Sequence, residues 1–310
     1  MNKDYKEFCS SMKKLVEDRF PKEKYTVELH SVMKNNSVRY EGIVIHAEGV
    51  KISPNFYLNT LYTRYQQGKG LQELVNKIVE QYYETVRESG NIQIDFSFER
   101  CREKIVFRLV SAKKNKEILK TIPYITCLDL AIVFYVVVEQ NEEEVGSFQI
   151  SERLLDSWEI DVEELFLIAK ENTRRLFPVE IFNMYHMIEQ MLKNGPVDEE
   201  LEDYINDEFL ESHENVPLVI TNKSKINGAA VIFYDGILEK LSDILQGDYY
   251  LIPSSVHEML AVAYSERLKP ADLKAMVVDV NKECVLEDEV LSENVYFYHS
   301  VDQTLKICIS

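Results

Sequence analysis

The chain has 310 residues, of which 45% are hydrophobic and 11% aromatic, so it can form two compact units or one elaborated domain around a substantial core. Its 53 acidic and 35 basic side chains give a formal net charge of −18, which repels phosphate backbones and anionic lipid surfaces. We therefore expect neither nucleic acid nor a membrane as a partner, and the acidity indicates a well-solvated surface.

The sequence carries no visible signal for export or membrane insertion. Its first residues are charged throughout and lack the apolar run of a signal peptide. The most apolar stretch, 131–138, is far shorter than the roughly 20 residues needed to cross a bilayer. The cysteines are scattered and form no C-x-x-C pair, which disfavours a disulfide framework or a zinc site. We expect a reducing, cytoplasmic location.

The first third of the chain predicts a helix, a hairpin and two more helices. Asp4 followed by Glu7 resembles a capping box, and Lys-Asn-Asn-Ser at 34–37 is typical of a tight turn. Apolar spacing predicts these elements in order: a helix ending before Pro21, strands 25–33 and 38–46, helices 56–67 and 71–89, and strand 92–98. Together they predict an N-terminal α+β unit over residues 1–112.

A basic, polar stretch at 113–116 precedes a larger C-terminal α+β domain, 113–310. The nearly continuous apolar run 128–138 predicts a central strand that is buried on both faces. The elements predicted here are strand 125–139, helices 161–176 and 179–193, strands 218–222 and 229–234, helix 236–245 capped by Asp235, strands 249–252 and 259–264, helix 270–281, and strands 295–299 and 305–309. Their order predicts a mixed β-sheet with packed helices.

An acidic segment, 198–214, interrupts this domain. It holds nine carboxylates and no Lys or Arg, so we predict an exposed linker helix. The D-x-[DN]-x-[DN]-G pattern of a calcium loop is absent, which argues against a calcium site.

The richest cluster of reactive side chains is Ser254, Ser255, His257 and Glu258. A histidine that activates a serine hydroxyl is the core of many hydrolases, so this cluster is a candidate nucleophile and base. The alternative is a structural turn in which a serine caps one helical turn, because the chain has no G-x-S-x-G motif. His257 and Glu258 match half of H-E-x-x-H, but Ala261 stands at the second histidine position, so no metal is expected.

A second polar segment, 221–230, joins two apolar runs. Asn222, Asn227 and Gly228 lie in it beside two lysines, and such a loop can hold an anion. A plain hairpin loop is the alternative, because both phosphate-binding glycine motifs are missing. No cofactor motif is present, so no cofactor is expected. If these residues form a site, it lies where this loop approaches 254–258 at one edge of a sheet.

Several blocks, in order, resemble the family filed as domain of unknown function 5688. More distantly, the order of elements is similar to the uncharacterised YtpQ family. The blocks are FRLV (107–110), LDLAIVF (128–134), ENT (171–173), LVITN (218–222), GAA (228–230), YDG (234–236), LIPSSVHE (251–258) and VLS (290–292). The resemblance covers most of the chain and implies a bacterial cytoplasmic protein, but no activity or catalytic residues to transfer. Asp235 departs from the family, which more often has proline before this glycine.

Two hypotheses for function follow from the residues. The first is a non-catalytic binding or regulatory module with a protein or small-molecule partner, because no motif with a mechanism is complete. The alternative is a hydrolase built around Ser255, His257 and Glu258, with Asn222 nearby.

Overall fold

The computed structural model describes residues 3–48, 53–89, 95–140, 145–183 and 216–308, and its fold class is α+β. The chain divides into two compact units, Met1–Asp95 and Phe96–Ser310. The boundary therefore comes earlier than the predicted 112, because the strand Ile105–Ser111 pairs with a strand of the second unit. Within the described ranges, no helix has the length and apolar character needed to cross a membrane.

The N-terminal unit packs helices on a small sheet. Its elements are α1 (Lys3–Glu17), β1 (Tyr25–Met33), β2 (Arg39–Ala47), β3 (Asn55–Tyr57), α2 (Leu58–Gln66) and α3 (Leu71–Ser89). The three strands form an antiparallel sheet in the order β1-β2-β3, as the predicted hairpin requires. Met12, Ile43 and Ile78 are buried in its core. The predicted helix from 56 begins at Leu58 because Phe56 instead pairs with Ile43.

The larger unit contains two antiparallel sheets, where one mixed sheet was expected. Its elements are α4 (Phe98–Cys101), β4 (Ile105–Ser111), β5 (Tyr124–Cys127), β6 (Leu130–Gln140), β7 (Val145–Gln149), α5 (Glu152–Trp158), α6 (Val162–Leu176), β8 (Val179–Asn183), β9 (Leu218–Asn222), α7 (Ile237–Leu245), β10 (Tyr249–Pro253), β11 (Met259–Ala263), α8 (Pro270–Glu283), β12 (Tyr296–His299) and β13 (Thr304–Ile307). Every pair of described strands is antiparallel.

Strand β6 is the centre of the four-stranded sheet. It pairs with β4 along one side, and along the other with β5 and then β7. Ile132 and Val133 point to opposite faces and are both buried, which confirms the prediction of a doubly buried strand. The predicted single strand 125–139 is wrong at its start, because Leu128 has φ 57° and turns the chain between β5 and β6.

The six-stranded sheet has the order β13-β12-β10-β11-β9-β8. The helix predicted from Val179 begins instead as strand β8, since Val179–Asn183 pairs along β9. The rest of that predicted helix and the acidic segment 198–214 lie outside the described residues. Phe98, predicted as strand, starts α4.

The two sheets of the larger unit share one apolar core. Phe134 of β6, Ile220 of β9 and Leu251 of β10 belong to the same buried cluster. A 3-10 helix, Gly228–Phe233, also enters it, although its apolar run predicted a strand. The run begins with small residues and follows Asn227 at φ 53°, so the chain leaves the extended conformation and coils tightly.

Asp129 joins the two sheets through hydrogen bonds. This residue lies in the turn between β5 and β6, and its Oδ1 accepts from the Tyr296 hydroxyl at 2.8 Å. Its Oδ2 accepts from Ser292 Oγ at 2.5 Å and from Asn294 Nδ2 at 3.0 Å. Burial and the Asp129 charge raise the pKa of Tyr296, so the phenol remains a donor at neutral pH.

We predict that Ile132→Asp unfolds or aggregates the protein. Ile132 is 2% exposed and faces the shared core, so a carboxylate there is buried without a partner and costs about 3 kcal/mol or more. The control is Val138→Asp on the same strand, where the side chain is 38% exposed. Urea unfolding followed by circular dichroism measures both, and an unchanged midpoint for Ile132→Asp would contradict its placement.

We predict that Asp129→Asn lowers the free energy of unfolding by about 1–3 kcal/mol, because an amide nitrogen then faces hydrogen-bond donors. Asp156→Asn, on an exposed position of α5, is the matched control and changes stability little. Equal unfolding midpoints for the two variants would exclude Asp129 as a link between the sheets.

Candidate functional site

The two candidate segments meet at one edge of the six-stranded sheet. Because β11 runs antiparallel to both β9 and β10, the end of β9 lies beside the 254–258 turn that connects β10 to β11. The backbone N–H of Asn227 donates to His257 Nδ1 at 3.1 Å. Thr221 Oγ1 donates to the His257 carbonyl at 2.8 Å. The sequence predicted a shared site only if these two segments lie at the same edge of one sheet.

Gly228 allows the close approach of the two segments. A Cβ at this position would collide with Thr221 Oγ1 and with the His257 carbonyl oxygen. Immediately after it, the Ala229 N–H donates to the Val256 carbonyl at 3.2 Å. No larger residue fits while these hydrogen bonds remain.

Asn222 shapes the loop from within. Its Nδ2 donates to the Ile226 carbonyl at 2.9 Å, and its Oδ1 accepts from Ser224 Oγ at 2.8 Å. Both Lys225 and Asn227 have positive φ, 56° and 53°, so the loop is tightly curled. The side-chain amide of Asn222 therefore stabilises the loop, whereas the side chain of Asn227 makes no hydrogen bond within the described residues.

The serine hydroxyl groups of the 254–258 turn form hydrogen bonds within the turn itself. Ser254 Oγ donates to Glu258 Oε1 at 2.9 Å, and Ser255 Oγ accepts from the His257 backbone N–H at 3.0 Å. The backbone N–H of Ser254 also donates to the Glu258 carbonyl. The side chains predicted as a nucleophile and its helpers thus stabilise a turn.

Both ring nitrogens of His257 have partners outside this turn. Since Nδ1 accepts from Asn227, it carries no proton, and Nε2 holds the proton that points toward Glu289 Oε1 at 3.4 Å. No described hydroxyl is hydrogen-bonded to the ring. Sequence reasoning missed Glu289, because it is one of several acidic residues between α8 and β12 and nothing marks it as special.

A small cleft opens beside this junction, and its lining includes Arg108, Asn222 and Asn227. Its volume of about 10 Å³ holds one water-sized group. Arg108 was also missed, although it is the one charged residue of the apolar strand β4, IVFRLVS. A charged residue within an otherwise apolar strand is visible in the sequence and could have marked Arg108 as unusual.

Within the described ranges, no three His, Cys, Asp or Glu side chains lie close enough together to hold a metal ion.

The structure defines an α+β protein whose polar junction lies at the edge of an antiparallel sheet. The chain belongs to the Family of unknown function (DUF5688), whose model matches residues 5–300. No match was found among curated proteins or among solved structures.

We predict that Gly228→Ala destabilises the protein by about 1–3 kcal/mol, because the added methyl group overpacks the junction. Gly70→Ala is the control, since Gly70 has open space around it and no positive φ. Thermal unfolding measures both variants. A Gly228→Ala midpoint equal to the wild type would mean that the two segments separate at no cost.

Proposed function

We propose that this protein is a non-catalytic binding or regulatory module of the cytoplasm, and that it recognises its partner at the junction of the 222–228 loop and the 254–258 turn. The observation that carries the proposal is the engagement of His257. Its Nδ1 lone pair accepts from the Asn227 N–H, so the ring has no free lone pair to remove a proton from a serine.

The alternative, a serine hydrolase, needs a different arrangement of the same residues. Its nucleophile must lie within hydrogen-bonding reach of the base, and the base must be oriented by a third group. Here Ser254 donates to Glu258 and Ser255 accepts from a backbone N–H. To build the dyad, the ring of His257 would have to leave Asn227 and Glu289, which would leave the Asn227 N–H without its acceptor.

Recognition is compatible with this geometry because hydrogen bonds hold the junction together while part of it remains accessible. The His257 and Glu289 side chains are 33% and 36% exposed, while the strands below them are buried. Loops fixed on a buried sheet commonly carry binding residues. The net charge of −18 favours a small molecule or a protein over nucleic acid as the partner.

A serine-reactive fluorophosphonate probe tests the proposal. We expect no labelling of the wild type above that of the Ser254→Ala and Ser255→Ala variants, because neither hydroxyl has a base. A known serine hydrolase in a parallel reaction confirms that the probe is active.

Labelling that is lost in Ser255→Ala and also in His257→Asn would establish a Ser-His dyad and overturn the binding module. Labelling retained in both variants would be non-specific and leave no catalytic role for the pair. Unfolding curves of each variant confirm that it is folded before labelling.

A further inference from the structure

Arg108 places a positive charge on an apolar face of the four-stranded sheet. Side chains alternate along β4, so Arg108 shares its face with Val106 and lies opposite Val133 of β6. Both valines are 1% exposed, and Val137 on the same face is 6% exposed. The guanidinium therefore lies among buried side chains.

Within the described residues, Arg108 has neutral partners. Its Nη2 donates to Ser147 Oγ at 2.7 Å, and its guanidinium carbon lies 4.0 Å from the centre of the Tyr135 ring. Burial lowers the pKa of Arg108 from its ordinary value, against the opposing effect of Tyr135, yet a guanidinium remains protonated at neutral pH. No described carboxylate forms an ion pair with it.

Arg108 is partly buried, and a charge that loses part of its hydration without an opposite charge nearby is unfavourable, so proteins commonly supply a counter-charge. The cleft beside Arg108 offers room for a partner of about one water-sized group. Asn222 and Asn227 also line this cleft, and the side-chain amide of Asn227 has no described hydrogen bond. Lys223 and Lys225 of the same loop are exposed and add positive charge nearby.

We propose that Arg108, with Asn227 at the cleft wall, binds a small anion. The shared chemistry is one negatively charged acceptor atom, either a chloride ion or one oxygen of a carboxylate or phosphate group whose remainder lies outside the cleft. Arg suits this task because its fork of N–H donors remains charged and its face is supported by Tyr135.

This assignment names the ligand class for the proposed binding module and rests on that proposal, but the two fail separately. Probe labelling at Ser255 would overturn the non-catalytic reading, whereas the absence of an anion effect at Arg108 would overturn the anion site alone.

Chloride NMR linewidths test the site directly in the full-length wild type. Chloride that exchanges with a protein site gives a broadened signal, and we expect this broadening to decrease when formate or inorganic phosphate competes for Arg108. The same titrations on the Arg108→Met variant are the reference, because they correct for ionic strength and for chloride that binds elsewhere. Narrowing by formate but not phosphate indicates a carboxylate ligand, narrowing by phosphate indicates a phosphate ligand, and narrowing by neither indicates a chloride site.

Arg108→Met should lose the excess broadening, since methionine occupies similar space without a charge. Arg174→Met, which removes an exposed arginine from α6, is the matched control and should keep it. Arg108→Lys retains the charge without the fork and should weaken the effect, which provides a second variant if Arg108→Met does not fold. Added chloride should also raise the Tm of the wild type by about 2–4 °C more than it raises the Tm of Arg108→Met.

Two results would overturn the proposal. The first is wild-type broadening equal to that of Arg108→Met, with both proteins folded. The second is that the chloride signal of the wild type is not broadened, whereas it is broadened by a variant in which Glu142, Glu143 and Glu144 are all replaced by Gln. That outcome would assign the counter-charge to the chain itself.

Discussion

The contact of Gly228 with the end of β9 and with the His257 carbonyl is the constraint on which the site depends. Because position 228 has no side chain, the loop after Asn222 can fold against the 254–258 turn. The Asn227 N–H then reaches His257 Nδ1, and the following 3-10 helix enters the core between the two sheets. One close backbone approach thus links the packing of the larger unit to the geometry of its polar junction.

The close contact between the loop and the turn also limits the chemistry of the polar residues there. Hydroxyls and an imidazole suit catalysis only when a lone pair is left for the reacting proton. At this junction His257 Nδ1 and Ser255 Oγ each accept a hydrogen bond from a backbone N–H group, and these bonds hold the loop and the turn together. The side chains of His257 and Glu289 remain about one third exposed, and Arg108 lines a small cleft beside them.

The positive charge of Arg108 contrasts with the negative net charge of the chain. The chain carries −18 overall, yet Arg108 is placed among buried side chains without a described carboxylate beside it. Asp129 of the same unit, by contrast, accepts hydrogen bonds from three donors. The unit also buries the Tyr298 hydroxyl and Thr304 Oγ1 without a described hydrogen-bond partner, and Arg108 differs from these neutral groups in carrying a full charge.

The α+β class, the hairpin of β1 and β2 and the doubly buried strand β6 could all be predicted from the sequence, because local apolar spacing sets these features. The sequence also pointed to the two polar segments of the candidate site, which lie beside one another in the structure. The sequence did not predict that Gly228–Phe233 is a 3-10 helix, that Val179 starts a strand, or that Glu289 and Arg108 lie beside the candidate site. These features depend on contacts between residues far apart in the chain. Such contacts override the local conformational preferences from which the elements were predicted.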